Sequence, residues 1–206
     1  MALQNRVTPF GEIVALPGRG RMMGNRGILH NDERRVVRNF AVKRWIACVL
    51  QFRGRHRAVM TPHRYTELFF LDEAAALSAG HRPCAECRRE DYRRFQSLWQ
   101  AAYGGSADAD TMDVKLHGDR LSGNSKRTYR ADFANLPDGS YVALDGKAWL
   151  VWGTHLHEWS DSGYIARRRR PARGRAEVLT PAAIVTILAA GYRPAIHPTA
   201  VHSVTA

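Results

Sequence analysis

Cysteine is scarce in this sequence. Three residues in 206, Cys48, Cys84 and Cys87, are too few for a disulfide-stapled secreted fold, which leaves a metal site or buried thiols as their use. Long apolar runs are missing as well. No stretch approaches the roughly twenty residues needed to span a bilayer. The leading residues Met1-Ala2-Leu3-Gln4-Asn5-Arg6 lack the apolar core of a secretory signal. The expectation is a cytoplasmic chain with no membrane partner. No Gly-Lys-Ser/Thr follows the early glycines, so there is no Walker loop, and no His-Glu-x-x-His occurs on any helical pattern. Negative charge is also in deficit. Nineteen Asp and Glu stand against thirty-one Lys and Arg, for a formal net charge of +12. Most of the excess is arginine, whose planar fork pairs with phosphate oxygens. Nucleic acid is therefore the expected partner, by long-range attraction of a polyanion.

What is present centres on Gly80-His81-Arg82-Pro83-Cys84-Ala85-Glu86-Cys87-Arg88. A Cys-x-x-Cys pair can place two thiolates on one tetrahedral ion, act as a redox pair, or simply pack as buried thiols. A thioredoxin-type pair needs a strand before it and a helix after it. Here a helical pattern and Arg-Pro come first, which favours metal.

The flanks are regular. Residues 67–71 read as a strand. Asp72 caps a helix over 73–79, with Gly80 just past its end. A second helix over 89–103 carries Tyr92, Phe95, Trp99 and Ala102 on one face and ends at Gly104-Gly105. Upstream, residues 42–52 read as a strand, turning at 53–57 into a returning strand at 58–60, with Cys48 in the first arm. Residues 1–31 read as a weak strand at 13–16 followed by a glycine- and arginine-rich loop, a surface loop or a phosphate-contacting one.

In the second half, residues 141–144 and 148–152 flank Asp145-Gly146-Lys147, a strong hairpin signal. Strands follow near 155–159, 163–166 and 178–179. Thr180 and Pro181 open a C-terminal helix closed by Gly191. Trp149, Trp152 and Trp159 are expected mainly in the core. The fold class is α+β: a small zinc-supported α/β module followed by a β-hairpin-rich segment with a C-terminal helix. The organisation expected is an N-terminal region at 1–39, the module at 40–105, a linker at 106–113 and a basic β-rich region at 114–206.

The stretch from Phe69 through Ala-rich 74–79 to Arg82-Pro83-Cys84-Ala85-Glu86-Cys87-Arg88 resembles the zinc-binding module of the Ada methylated-DNA repair family, relatives of which are attached to some bacterial nucleases. The resemblance covers residues 67–88. The shared pattern is a strand ending in aromatics, an alanine-rich helix led by acidic residues, Ala-Gly, an aromatic residue, then Arg-Pro-Cys-x-x-Cys. His81 stands where that family has Tyr or Phe. The resemblance implies an ion site with Cys84 and Cys87 as thiolate ligands. The family's upstream Cys-Arg-Pro-Ser-Cys is missing, and only Cys48 precedes the motif, so methyl transfer is not implied.

Zinc wants four ligands. Cys48 is the expected third, and His63 the first choice for the fourth, with His56, His81 and His30 as alternatives. Arg82, Arg88, Arg89 and Arg93 around the motif, and the run Arg167, Arg168, Arg169 and Arg170, are the expected nucleic-acid contacts, with DNA favoured over RNA. The alternative is a metal-dependent nuclease or repair enzyme with its site in the second half. Its candidate groups are Asp113, Lys115 and His117, which share a side if extended. His155 and His157, near Glu158 and Asp161, are a weaker metal-binding pattern.

Overall fold

A computed structural model describes residues 2–54 and 58–201. The chain is α+β, with two six-stranded sheets and a helical layer. Among the described residues no helix is long and apolar enough to cross a membrane.

The first sheet holds β1 (Gln4–Val7), β2 (Ile13–Ala15), β3 (Met22–Asn25), β4 (Ile46–Cys48), β5 (Leu68–Phe70) and β6 (Arg82–Pro83), in the order β2-β1-β5-β3-β4-β6. The glycine-rich N-terminal segment thus supplies a central strand. Gly24 of β3 is needed there, because a Cβ at that position would lie 2.3 Å from the Ile46 carbonyl oxygen. The expected 42–60 hairpin does not form. β4 pairs instead with β3, antiparallel, and with β6, parallel. Met60 has φ +56 and donates its amide to Glu67 Oε2 at 2.8 Å, which removes it from any extended return strand. The proposed turn at 53–57 lies partly outside the described residues.

Helix α1 (Glu73–Ser78) follows β5 and is capped as expected, with Asp72 Oδ1 accepting from the Ala75 amide at 2.8 Å. Gly80 takes φ +92 past its end. Helix α2 (Arg89–Tyr103) buries Phe95 and Trp99. The expected linker at 106–113 instead contains the start of helix α3 (Ala109–Arg120). Asp108 caps it by accepting from the Asp110 and Thr111 amides, both at 2.9 Å. Met112 and Leu116, four apart, then face Phe95, Trp99 and the C-terminal helix in one apolar cluster.

After a short hairpin of β7 (Leu121–Ser122) and β8 (Ser125–Lys126), the second sheet is built from β9 (Tyr129–Asp132), β10 (Tyr141–Leu144), β11 (Lys147–Trp152), β12 (His155–Ser160), β13 (Gly163–Arg169) and β14 (Arg175–Val178). Its order is β13-β12-β11-β10-β14-β9. Asp145 and Gly146 both have positive φ, 53° and 73°, the two-residue turn expected of Asp-Gly. Trp149 is buried, and Trp152 and Trp159 pack partly buried against the core. Helix α4 (Ala182–Ala189) is not capped by Thr180, whose hydroxyl accepts from the Tyr141 amide instead. Asp119 of α3 accepts from the Ala183 amide at 3.0 Å.

The two sheets share a core. Val7, Leu68, Phe70 and Ala75 from the first half pack in one cluster with Tyr141, Leu150, Tyr164 and Leu179 from the second. Arg82 and Asp113 join the motif to α3. Both are buried, and Arg82 Nε and Nη2 donate to the two carboxylate oxygens at 3.0 and 2.7 Å. Removing one member strands the other charge. Asp113→Ala is expected to cost about 3–5 kcal/mol in urea unfolding, and Arg82→Met with Asp113→Leu distinctly less. A double variant at least as unstable as the single one would refute the ion-pair account.

Candidate metal centre

Backbone pairing builds the cysteine site. β4 and β6 run parallel with Ala47 opposite Pro83, and the Cys84 amide donates to the Ala47 carbonyl at 3.0 Å. β4 ends at Cys48 and Cys84 directly follows β6, so this register sets Cys48 beside Cys84. Pro83 fixes φ before the turn. The turn itself closes through the Arg88 amide, which donates to the Cys84 carbonyl at 3.1 Å, and it brings Cys87 back over the pair. The three sulfurs lie within 4.8 Å of one another. Thiolates on one tetrahedral zinc, with bonds of about 2.3 Å, sit about 3.8 Å apart.

The surroundings suit thiolates. The backbone amides of Glu86 and Cys87 donate toward the Cys84 sulfur, and that of Val49 toward the Cys87 sulfur. The Cys84 thiol is pushed far down by hydrogen bonds from Cys48 and Cys87, while the Cys48 thiol is pushed far up by its bond to Cys84. A thiophilic cation would let all three sulfurs ionise. Three soft donors fit zinc and disfavour magnesium or calcium. The sulfurs line a cleft of about 340 Å³ that Phe52, Phe69 and Glu86 also border.

Among the described residues no fourth protein ligand joins the three cysteines. His63 does not. Its side chain is 86% exposed, with Nε2 3.8 Å from Asp32 Oδ1, because left-handed backbone at Met60 and His63 turns this segment away. Both ring nitrogens of His30 are engaged, by Thr66 Oγ1 at 2.6 Å and the Thr61 carbonyl at 3.2 Å. His81 is fully buried, its ring against Trp45 and Phe70, with Nε2 accepting from Arg26 Nε at 3.3 Å. It fills an aromatic slot with a polar ring. His56 lies outside the described residues.

Arg82 and Arg88 are not surface groups. Arg82 is held by Asp113, and Arg88 Nη2 lies 2.7 Å from both Glu73 Oε1 and Asp91 Oδ2. Each is buried because a carboxylate from another element reaches it. Arg89 and Arg93 are exposed on α2, and Arg167, Arg168 and Arg169 on β13. Arg168 lies over the Trp149 ring at 4.3 Å. Arg170 is drawn inward and donates to the carbonyls of Phe133 and Leu136. β13 is an edge strand, and its pairing sets Arg167 opposite His157 and Arg169 opposite His155, on one side of the sheet. Burial, then the charges of His155 and Arg167, push His157 down to about 4, so it stays neutral near pH 7.

The candidate groups Asp113, Lys115 and His117 of the alternative reading do not share one side. Residues 113–117 are helical rather than extended, which turns Lys115 away from Asp113 and His117. Asp113 is committed to Arg82, Lys115 sits 3.4 Å from Asp119, and His117 Nδ1 accepts from Arg120 Nη2 at 3.2 Å. Sequence spacing had no means of revealing the parallel β4–β6 pairing or the amides that face the sulfurs. No family model, no curated protein and no solved structure matches this chain.

Proposed function

We propose that this chain holds one zinc ion on Cys48, Cys84 and Cys87 and binds nucleic acid through its exposed arginines. The observation that carries the zinc is the convergence of three thiols with backbone amides directed at two of their sulfurs. An ion there would tie the end of β4 to the turn that starts α2, and its binding free energy would add to folding. Three protein ligands leave one position of a tetrahedral ion unfilled by the described residues. The Ada-like motif supports the same ion and is the ground for favouring DNA over RNA.

For the polyanion, the support is the net charge of +12 and the exposed Arg167 and Arg169 on an edge strand, with Arg89 and Arg93 on α2. Phosphate contacts of this kind give affinity without sequence preference. The alternative, a metal-dependent nuclease or repair enzyme with its site in the second half, gains nothing from Asp113, Lys115 and His117, whose side chains pair with Arg82, Asp119 and Arg120.

Elemental analysis of the purified protein should give about one zinc per chain, lost in Cys84→Ser together with a lower Tm. A folded chain that stays metal-free when refolded with zinc under reducing conditions would refute the site. DNA affinity should fall steeply with salt, and Arg167→Ala with Arg169→Ala should reduce the slope of log K against log salt by about two. An unchanged slope would remove β13 from the interface.

A further inference from the structure

The second unusual cluster in the molecule is positive and sits at the opposite end of β4 and β6 from the cysteines. Arg26 and Arg120 are each 1% exposed, and both guanidinium carbons lie 4.0 Å from the centroid of the Trp45 ring. Lys126, on the short β7–β8 hairpin, joins them. The three cations are held by neutral carbonyls. Arg26 Nη1 donates to Gly11 at 3.0 Å, Arg120 Nη1 to Gly80 at 2.9 Å, and Lys126 Nζ to Ser78 at 2.6 Å. The Gly80 seat is tight, since a Cβ there would fall 2.6 Å from Arg120 Cδ.

Carbonyls satisfy donors but cancel no charge. Among the described residues no carboxylate lies within ion-pair distance of Arg26, Arg120 or Lys126. Asp113 attracts Arg120 from farther away but is itself bound by Arg82. Arg26 Nη2 and Arg120 Nε are buried with no hydrogen-bond acceptor. Burying cations without a counter-charge is expensive. Burial, then Arg120, pushes Arg26 down to about 9, and burial, then Arg26 and Arg120, pushes Lys126 down to about 7.

All three cations border one cavity of about 450 Å³. Its wall also carries Asn39, Asn124 and Ser125, neutral groups that can donate to an oxyanion. Glu12 and Glu177 reach the same cavity, but both are exposed at its rim, and Glu177 accepts from Thr128. A phosphate group needs concentrated positive charge, several donors and partial exclusion of water. Asn124 of the tight β7–β8 turn and Ser125 at the start of β8 place small polar groups beside these charges.

We propose that this cavity binds a phosphate group, with Arg26, Arg120 and Lys126 as its counter-charges. The group is either a free small phosphate or the terminal phosphate of a nucleic-acid strand. Thermal unfolding of the full zinc-loaded chain tests it, in inorganic phosphate against chloride at equal ionic strength. Phosphate at about a hundred times its Kd is expected to raise Tm by roughly 5 °C or more. Lys126→Met removes the charge and keeps an unbranched apolar side chain, and Arg120→Met does the same beside Trp45. Either variant, if folded by circular dichroism, should lose the phosphate-dependent shift. Arg167→Ala with Arg169→Ala, outside the cavity, should keep it even if DNA binding is lost.

A 5′-phosphorylated oligonucleotide that binds at least tenfold tighter than its 5′-hydroxyl form, with that preference gone in Lys126→Met, would identify the strand terminus as the source. Equal binding of the two, with the phosphate shift intact, would identify a free phosphate. No Tm shift in the unaltered protein, or a shift that survives in Lys126→Met, would overturn the proposal and leave the guanidiniums as packing against Trp45.

Discussion

Two adjacent buried carboxylates hold this molecule together. Asp72 caps α1 with one oxygen, and its other oxygen accepts from the Tyr164 hydroxyl at 2.7 Å and the His197 amide at 2.9 Å. Glu73 accepts from the Tyr192 hydroxyl at 2.6 Å and the Ala195 amide at 2.9 Å, and faces Arg88 at 2.7 Å. A six-residue helix thereby anchors the first sheet, the second sheet, the C-terminal segment and the turn after the cysteines. The cost of burying two carboxylates is offset because nearly every lone pair has a donor. Tyr141 extends the network by its 2.7 Å contact with Tyr164.

The parallel pair β4 and β6 divides the chemistry. Toward their C-terminal ends lie Cys48 and Cys84. Before their N-terminal ends lie Trp45 and His81, which pack together and meet the two guanidiniums. Two strands of three and two residues therefore separate a cluster of three cysteines from a cationic cavity. Anything that fixes the register of Ala47 against Pro83 positions both. Soft anionic donors sit at one end and hard cationic donors at the other, so a metal cation and an oxyanion would not compete for the same groups.

Arginine serves three separate purposes here. Arg82 and Arg88 are structural partners of carboxylates. Arg26 and Arg120 line a cavity against an aromatic ring. Arg167 and Arg169 face solvent on an edge strand. A net charge of +12 therefore overstates the freely exposed charge, and the surface argument rests on the third group.

The sequence by itself determined the features governed by neighbours along the chain: the α+β class, Asp72 as a cap and Gly80 as a stop, the apolar face of α2, the Asp145-Gly146 turn, and the pairing of Cys84 with Cys87. Each follows from backbone preferences or a side-chain period within a dozen residues. The helix over 109–120 is missed because residues 106–113 are small and acidic and read as a linker, and only Asp108 as its cap and the packing of Met112 and Leu116 reveal it. Tertiary structure alone decided which partners meet. Cys48 reaches Cys84 through a parallel pairing that has no local turn signal. His63 is carried outward by left-handed backbone. Arg82, Arg88, Arg26 and Arg120 are buried or paired according to where a distant carboxylate or ring arrives. Charge and residue type are local properties, whereas burial and pairing belong to contacts between segments far apart in the chain.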